Sequence, residues 1–151
     1  MEILPTHGLG PLRFGMRPDE VRSLMGEAET YEDWMGGNLN DSILYHGLIL
    51  GFDKCDAYGP LPDSSFVDAW IRGRPDVVLW GKPLSDWTKE DVEAHLLQRK
   101  ITYEATKLFG INIPSLALGM NFEPDGRVES LDISRPARRG WAKRIVDAFR
   151  K

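Results

Sequence analysis

Two helix-opening signals, each followed by strand-like runs, set the narrowest limits on how this chain can fold. The first is Arg17-Pro18-Asp19-Glu20, with proline at the first helical position and acids in the first turn. Val21, Leu24 and Met25 follow at the spacing of one helical face, and Gly26 is a natural stop. The second is Thr88-Lys89-Glu90-Asp91, a capping box in which Asp91 takes the place of the usual Glu or Gln. Val92, His95, Leu96 and Arg99 continue that helix to residues 98–100. From Asp19 to Asp91 the offset is 72 residues. Strand signals follow each helix: 30–35, 42–52 (bent at Gly47) and 66–72 after the first, then 101–107, 115–122 and 127–133 after the second. Residues 12–16 read as a short strand or an extended entry before the first helix, and Glu123-Pro124-Asp125-Gly126 reads as a tight turn. Residues 137–150 predict a closing helix with Trp141, Ile145 and Phe149 on one stripe.

This order predicts an α+β fold: antiparallel sheet with helices packed on one face, open to reading as a duplicated helix-plus-strands unit. The chain of 151 residues is expected to form one domain over 1–151, with pseudo-repeat halves at 9–75 and 76–135. Val21, Leu24, Val92 and Leu96 are expected to be buried, because their spacing is what lets the helices pack.

Composition adds exclusions. A hydrophobic share of 42% with 28% charged residues is ordinary for a folded chain and argues against wholesale disorder. The single cysteine, Cys55, cannot form an internal disulfide or anchor a zinc site alone. No apolar run approaches the roughly 20 residues a membrane helix needs. No basic, apolar leader is read at the N-terminus, so the expected location is the cytoplasm.

The net charge of −4 hides an asymmetry. Between Asp19 and Asp68 lie 11 acids against two bases, Arg22 and Lys54; from Arg135 onward lie seven bases against one acid, Asp147. Aromatics interleave the acidic half, where they can anchor a protein partner while the acids steer it. The expected partner-binding residues are Glu29, Tyr31, Glu32, Asp33, Trp34, Asp53, Asp56, Tyr58 and Asp63. Such a surface repels nucleic-acid phosphates and predicts a protein partner with a basic surface. The basic closing helix is read as docking on the domain, with neither a membrane nor nucleic acid as its partner.

Catalytic and metal signatures are sparse. His7, His46 and His95 share no metal-ligand spacing. His46, inside the apolar run 42–52, reads as a hydrogen-bonded core or sheet-face histidine, with a buried base as the alternative. Cys55 sits between Lys54 and Asp56, whose charges oppose one another, and reads as an inert thiol. Gly8-Leu9-Gly10-Pro11 lacks the lysine and hydroxyl residue of a phosphate loop. The expectation is therefore a non-catalytic chain with no catalytic residues, metal or cofactor. An enzyme with a cryptic carboxylate or histidine site and an assembly module are the alternatives.

The segment Phe14-Gly15-Met16-Arg17-Pro18-Asp19-Glu20-Val21-Arg22-Ser23-Leu24-Met25-Gly26 resembles the glycine-methionine, glutamate-valine, leucine-glycine pattern of small outer-membrane assembly lipoproteins of the SmpA/OmlA type. The same architecture occurs, doubled, in the β-lactamase-inhibitor-protein fold. The chain departs from the first in having no lipidation cysteine near its start, and from the second in lacking paired cysteines. With its size and acidic face, it is similar to bacterial immunity proteins, which neutralise secreted polymorphic toxins, including those of type VI secretion systems. That resemblance implies inhibition of a toxin or effector domain by direct binding.

Overall fold

The structure, a computed structural model, describes residues 1–28, 40–106 and 110–136. The expected strand over 30–35 and the expected closing helix over 137–150 lie outside the described residues. So do Glu29, Tyr31, Glu32, Asp33 and Trp34.

The chain opens with three short strands, β1 (Ile3–Leu4), β2 (Gly8–Leu9) and β3 (Leu12–Arg13), then helix α1 (Pro18–Met25). Next come β4 (Ser42–Tyr45), β5 (Leu48–Phe52), a small hairpin of β6 (Cys55–Asp56) and β7 (Gly59–Pro60), and the long strand β8 (Phe66–Arg72). A second short hairpin, β9 (Val78–Leu79) and β10 (Lys82–Pro83), precedes helix α2 (Lys89–Gln98). The remaining described strands are β11 (Glu104–Ala105), β12 (Gly110–Ile113), β13 (Leu118–Phe122) and β14 (Val128–Ser134).

Seven strands form one antiparallel sheet in the order β11-β12-β13-β14-β8-β5-β4. The first half opens with the three-stranded sheet β1-β2-β3 and the second with the two-stranded hairpin β9-β10; each continues through a helix to strands of the large sheet. The halves meet where β8 pairs with β14, from Arg72 opposite Ser130 to Asp68 opposite Ser134. Alternation along these strands puts Ile43, Leu50, Ile71, Leu131, Ile133 and Met120 into a single buried cluster. The helices add Val21, Val92 and Leu96 to that cluster, all fully buried. The register shift between Gly51 and Phe52 opposite β8 explains how Phe66 joins the same cluster.

Both helices start as their sequences dictate. In α1 the Arg17 N–H donates to the Glu20 carboxylate at 3.2 Å. In α2 the box is reciprocal: the Asp91 N–H donates to the Thr88 hydroxyl at 3.2 Å and the Thr88 N–H to the Asp91 carboxylate at 3.3 Å. The Thr88 backbone bond, then its hydroxyl bond, hold the Asp91 carboxyl below its ordinary range.

Five expectations require correction. Leu24 is 49% exposed, because α1 is only two turns long and turns Pro18, Val21 and the half-buried Met25 inward instead. The run 42–52 is two strands folded on each other at His46-Gly47, with Gly47 at φ +66°; a β-carbon there would lie 2.5 Å from the Arg72 carbonyl oxygen. His46 consequently sits exposed at a hairpin tip and is neither core nor sheet face. Among the described residues of the run 101–107 only Glu104–Ala105 form a strand, β11, and 115–122 begins as a short 3-10 turn over Pro114–Leu116, so its strand starts at Leu118.

Candidate interaction surface

Residues 53–63 build a rigid projection from the acidic half. The strands β6 and β7 pair Cys55 with Pro60 and Asp56 with Gly59, leaving Ala57-Tyr58 as a two-residue loop. The Asp56 carboxylate folds back to accept the Tyr58 N–H at 2.8 Å, as short acidic side chains do in turns. Gly59 takes φ +135°, a backbone conformation that side chains rarely allow.

The base of the projection is clamped. The Asp53 N–H donates to the Ser65 carbonyl at 3.0 Å, and the Asp53 carboxylate accepts the Ser65 N–H at 2.8 Å. The Lys54 ammonium lies 3.4 Å from the Asp63 carboxylate, and the Leu61 N–H donates to the Lys54 carbonyl at 3.0 Å. β7 lies against β4, which ties the hairpin to the edge of the large sheet.

The result is a tyrosine displayed on a fixed stem. Tyr58 is 97% exposed, the most exposed large hydrophobic residue among those described. Cys55 and Asp56 are exposed beside it. Of the nine residues expected to bind a partner, the structure thus brings Asp53, Asp56, Tyr58 and Asp63 onto one projection. Asp56 and Tyr58 stand at the tip; Asp53, half-buried, serves the clamp, and Asp63 shares its charge with Lys54.

A cleft of about 380 Å³ opens at the end of β4, lined by Met25, Glu27, Tyr45, His46, Arg74 and Asp76, among others. The Tyr45 hydroxyl donates to the Gly26 carbonyl at 2.8 Å, joining the end of α1 to the end of β4. Burial raises the Tyr45 hydroxyl above its ordinary range, so it stays a donor. Arg74 crosses the floor: its Nε donates to the Asp76 carboxylate at 2.8 Å and Nη1 to the His46 carbonyl at 3.1 Å. The Arg74 bond holds the Asp76 carboxyl below its usual range.

Sequence reasoning missed this cleft because its residues come from three separated segments. The glycine and proline breaks at Gly47 and Pro75 were the local signs that the chain turns there. Among the described residues, no group of three or more His, Cys, Asp or Glu side chains is arranged to hold a metal ion, and no helix is long and apolar enough to cross a membrane. Comparison with family profiles, curated proteins and solved structures finds no match to this chain.

Proposed function

We propose that this chain is a non-catalytic binding protein of the immunity type, which neutralises a bacterial toxin or effector domain by direct contact. Tyr58 carries the reading: an exposed aromatic ring on a hairpin tip whose backbone is held by the neighbouring Asp56. Large aromatics are enriched among the residues that dominate binding energy, and a preformed loop loses little entropy when it docks. The acidic excess from Asp19 to Asp68 points to a basic partner surface, such as an enzyme acting on an anionic substrate. The cytoplasm is the proposed location. The repeated order of a small sheet, a helix and strands of the large sheet supports reading the chain as a duplicated unit of the β-lactamase-inhibitor-protein type.

The test is binding to a candidate toxin domain encoded beside this chain, by titration and by protection in co-expression. Tyr58→Ala should weaken binding about tenfold or more, the effect of about 1.4 kcal/mol. Asp56→Asn and Asp63→Asn together remove charge while keeping acceptor oxygens for the turn, so they should slow association and flatten its salt dependence. Unchanged affinity in a folded Tyr58→Ala chain would rule out the hairpin as the contact.

The cleft favours a second reading, an enzyme with a histidine and carboxylate site, because it places His46, Glu27 and Asp76 around one volume. Against it, the Asp76 carboxylate is engaged by Arg74, and among the described residues no hydrogen bond joins the His46 ring to either carboxylate. His46→Ala should leave partner protection intact. Loss of an assayed hydrolytic activity in that variant would establish the second reading.

A further inference from the structure

We propose that His95 is an acid-sensitive latch that holds the β9–β10 hairpin against α2. The imidazole stacks on the Trp80 ring with centroids 4.0 Å apart and planes at 13°, and it meets the edge of Trp87 at 5.5 Å and 89°. Trp80 and Trp87 contact each other at 5.4 Å, edge to face. The Trp87 indole N–H donates to the Leu79 carbonyl at 2.9 Å, which fixes that ring to the hairpin. One imidazole therefore bridges the hairpin and α2, beside the Lys82–Asp91 ion pair and above the core beneath.

Two observations make the joint sensitive to protonation. The His95 Nε2 is buried and has no hydrogen-bond partner among the described residues. A bare Nε2 needs no donor to stay buried, whereas a proton held there is a buried donor with no acceptor among the described residues. Secondly, Trp80 occupies the first loop position of a two-residue hairpin at φ +49°, a left-handed conformation that is uncommon for a bulky residue. The stack on His95, with the Trp87 edge and the core beside it, packs the aromatic ring in that place.

The charged groups on the packed elements are Lys82 on the hairpin, the exposed Asp86 on the connector, and Asp91 and Arg99 on α2. Lys82 is engaged twice, 4.1 Å over the Trp87 ring and 3.4 Å from the Asp91 carboxylate. Asp91 is thereby committed to Lys82 and to the helix cap, while Arg99 adds positive charge near the imidazole. The Trp80 ring face would attract an imidazolium. Against it stand desolvation by burial and then the Arg99 charge, both of which hold the His95 ring below its ordinary range. The unfolded chain then binds a proton more readily than the folded one. Stability contributed by the neutral latch is present above about pH 6.5 and is lost as pH falls through and below it.

The experiment is a pH series on the full chain from about pH 7.5 to about pH 5, comparing wild type with His95→Phe, which keeps a ring and cannot titrate. Carboxylates titrate alike in both, so the difference between the curves isolates position 95. The wild-type Tm should fall relative to the variant by about 3 °C or more. Amide exchange at Leu96, corrected for intrinsic rate, should rise about tenfold over the same range. Parallel Tm curves with unchanged Leu96 protection would overturn the latch. Should His95→Phe not fold, NMR titration of the wild-type ring decides. A midpoint below about 6.5 that coincides with loss of Leu96 protection supports the proposal; an ordinary midpoint with protection unchanged overturns it.

Discussion

Two glycines show how single residues set the surface of the sheet opposite the buried cluster. Gly51 on β5 faces Asp68 on β8, and Gly119 on β13 faces Asp132 on β14, so a glycine–aspartate pair recurs in each half. Each carboxylate lies over the space a side chain would take: a β-carbon at 119 would sit 2.7 Å from Asp132 Oδ1, and one at 51 would collide with the Asp68 carboxylate. Gly51→Ala should therefore cost about 1–3 kcal/mol, the usual range for overpacking, read as a lowered urea midpoint at unchanged slope. Asp132 makes a different prediction. Burial raises its carboxyl above the ordinary range, against a weaker opposing backbone bond. Its neutral form is thus favoured by folding, a stabilisation complete below the unfolded value of about 3.9 and lost as pH rises through the raised folded value. Asp132→Asn should raise Tm at pH 7 and converge with wild type near pH 3; an equal gap at both would contradict the burial account. None of this was legible in the sequence, where Gly51 and Gly119 are unremarkable residues in apolar runs. Cross-strand register creates their role.

At the scale of elements, legibility followed how local each signal was. Both helix starts were readable because caps and first-turn acids act within four residues. The turn at residues 123–126 was readable for the same reason: the Gly126 N–H donates back to the Glu123 carbonyl at 2.8 Å. At His46-Gly47 the sequence showed a bend but not a full hairpin, because the apolar residues on either side continue without a break. β12 was missed because glycine and asparagine dilute its pattern, and pairing with β13 specifies it. Burial on α1 was overestimated for Leu24, since periodicity identifies a face but not how far the core reaches along it. Val92→Ala should cost about 2 kcal/mol, while Leu24→Ala should stay within about 0.5 kcal/mol. Similar losses for both in chemical denaturation would mean that α1 packs more deeply than described. The candidate surface was half legible: acidity and aromatics pointed to residues 53–63, yet the clamp that turns Asp53 inward depends on its meeting with Ser65.

For the whole molecule, the decisive contact is the pairing of β8 with β14. It lies at the centre of the large sheet and joins strands from both halves, with Ile71 and Leu131 opposite each other and fully buried. Because both halves feed one buried cluster, the chain should melt in a single transition whose calorimetric and van't Hoff enthalpies agree. Ile71→Ala should lower that one transition, costing about 2–5 kcal/mol, without splitting it. Two resolved transitions would show halves that stand independently.

The same pairing orders events on the ribosome. β8 leaves the exit tunnel well before β14 has been made, and at roughly 5–20 residues per second the delay lasts several seconds. During that interval β8 carries an open backbone edge next to Ala69 and Ile71, a template for any neighbouring nascent chain. Crowded synthesis of this protein therefore favours swapped dimers, in which β14 of one copy completes the sheet of another. Slower initiation or a holding chaperone should shift the yield toward monomer.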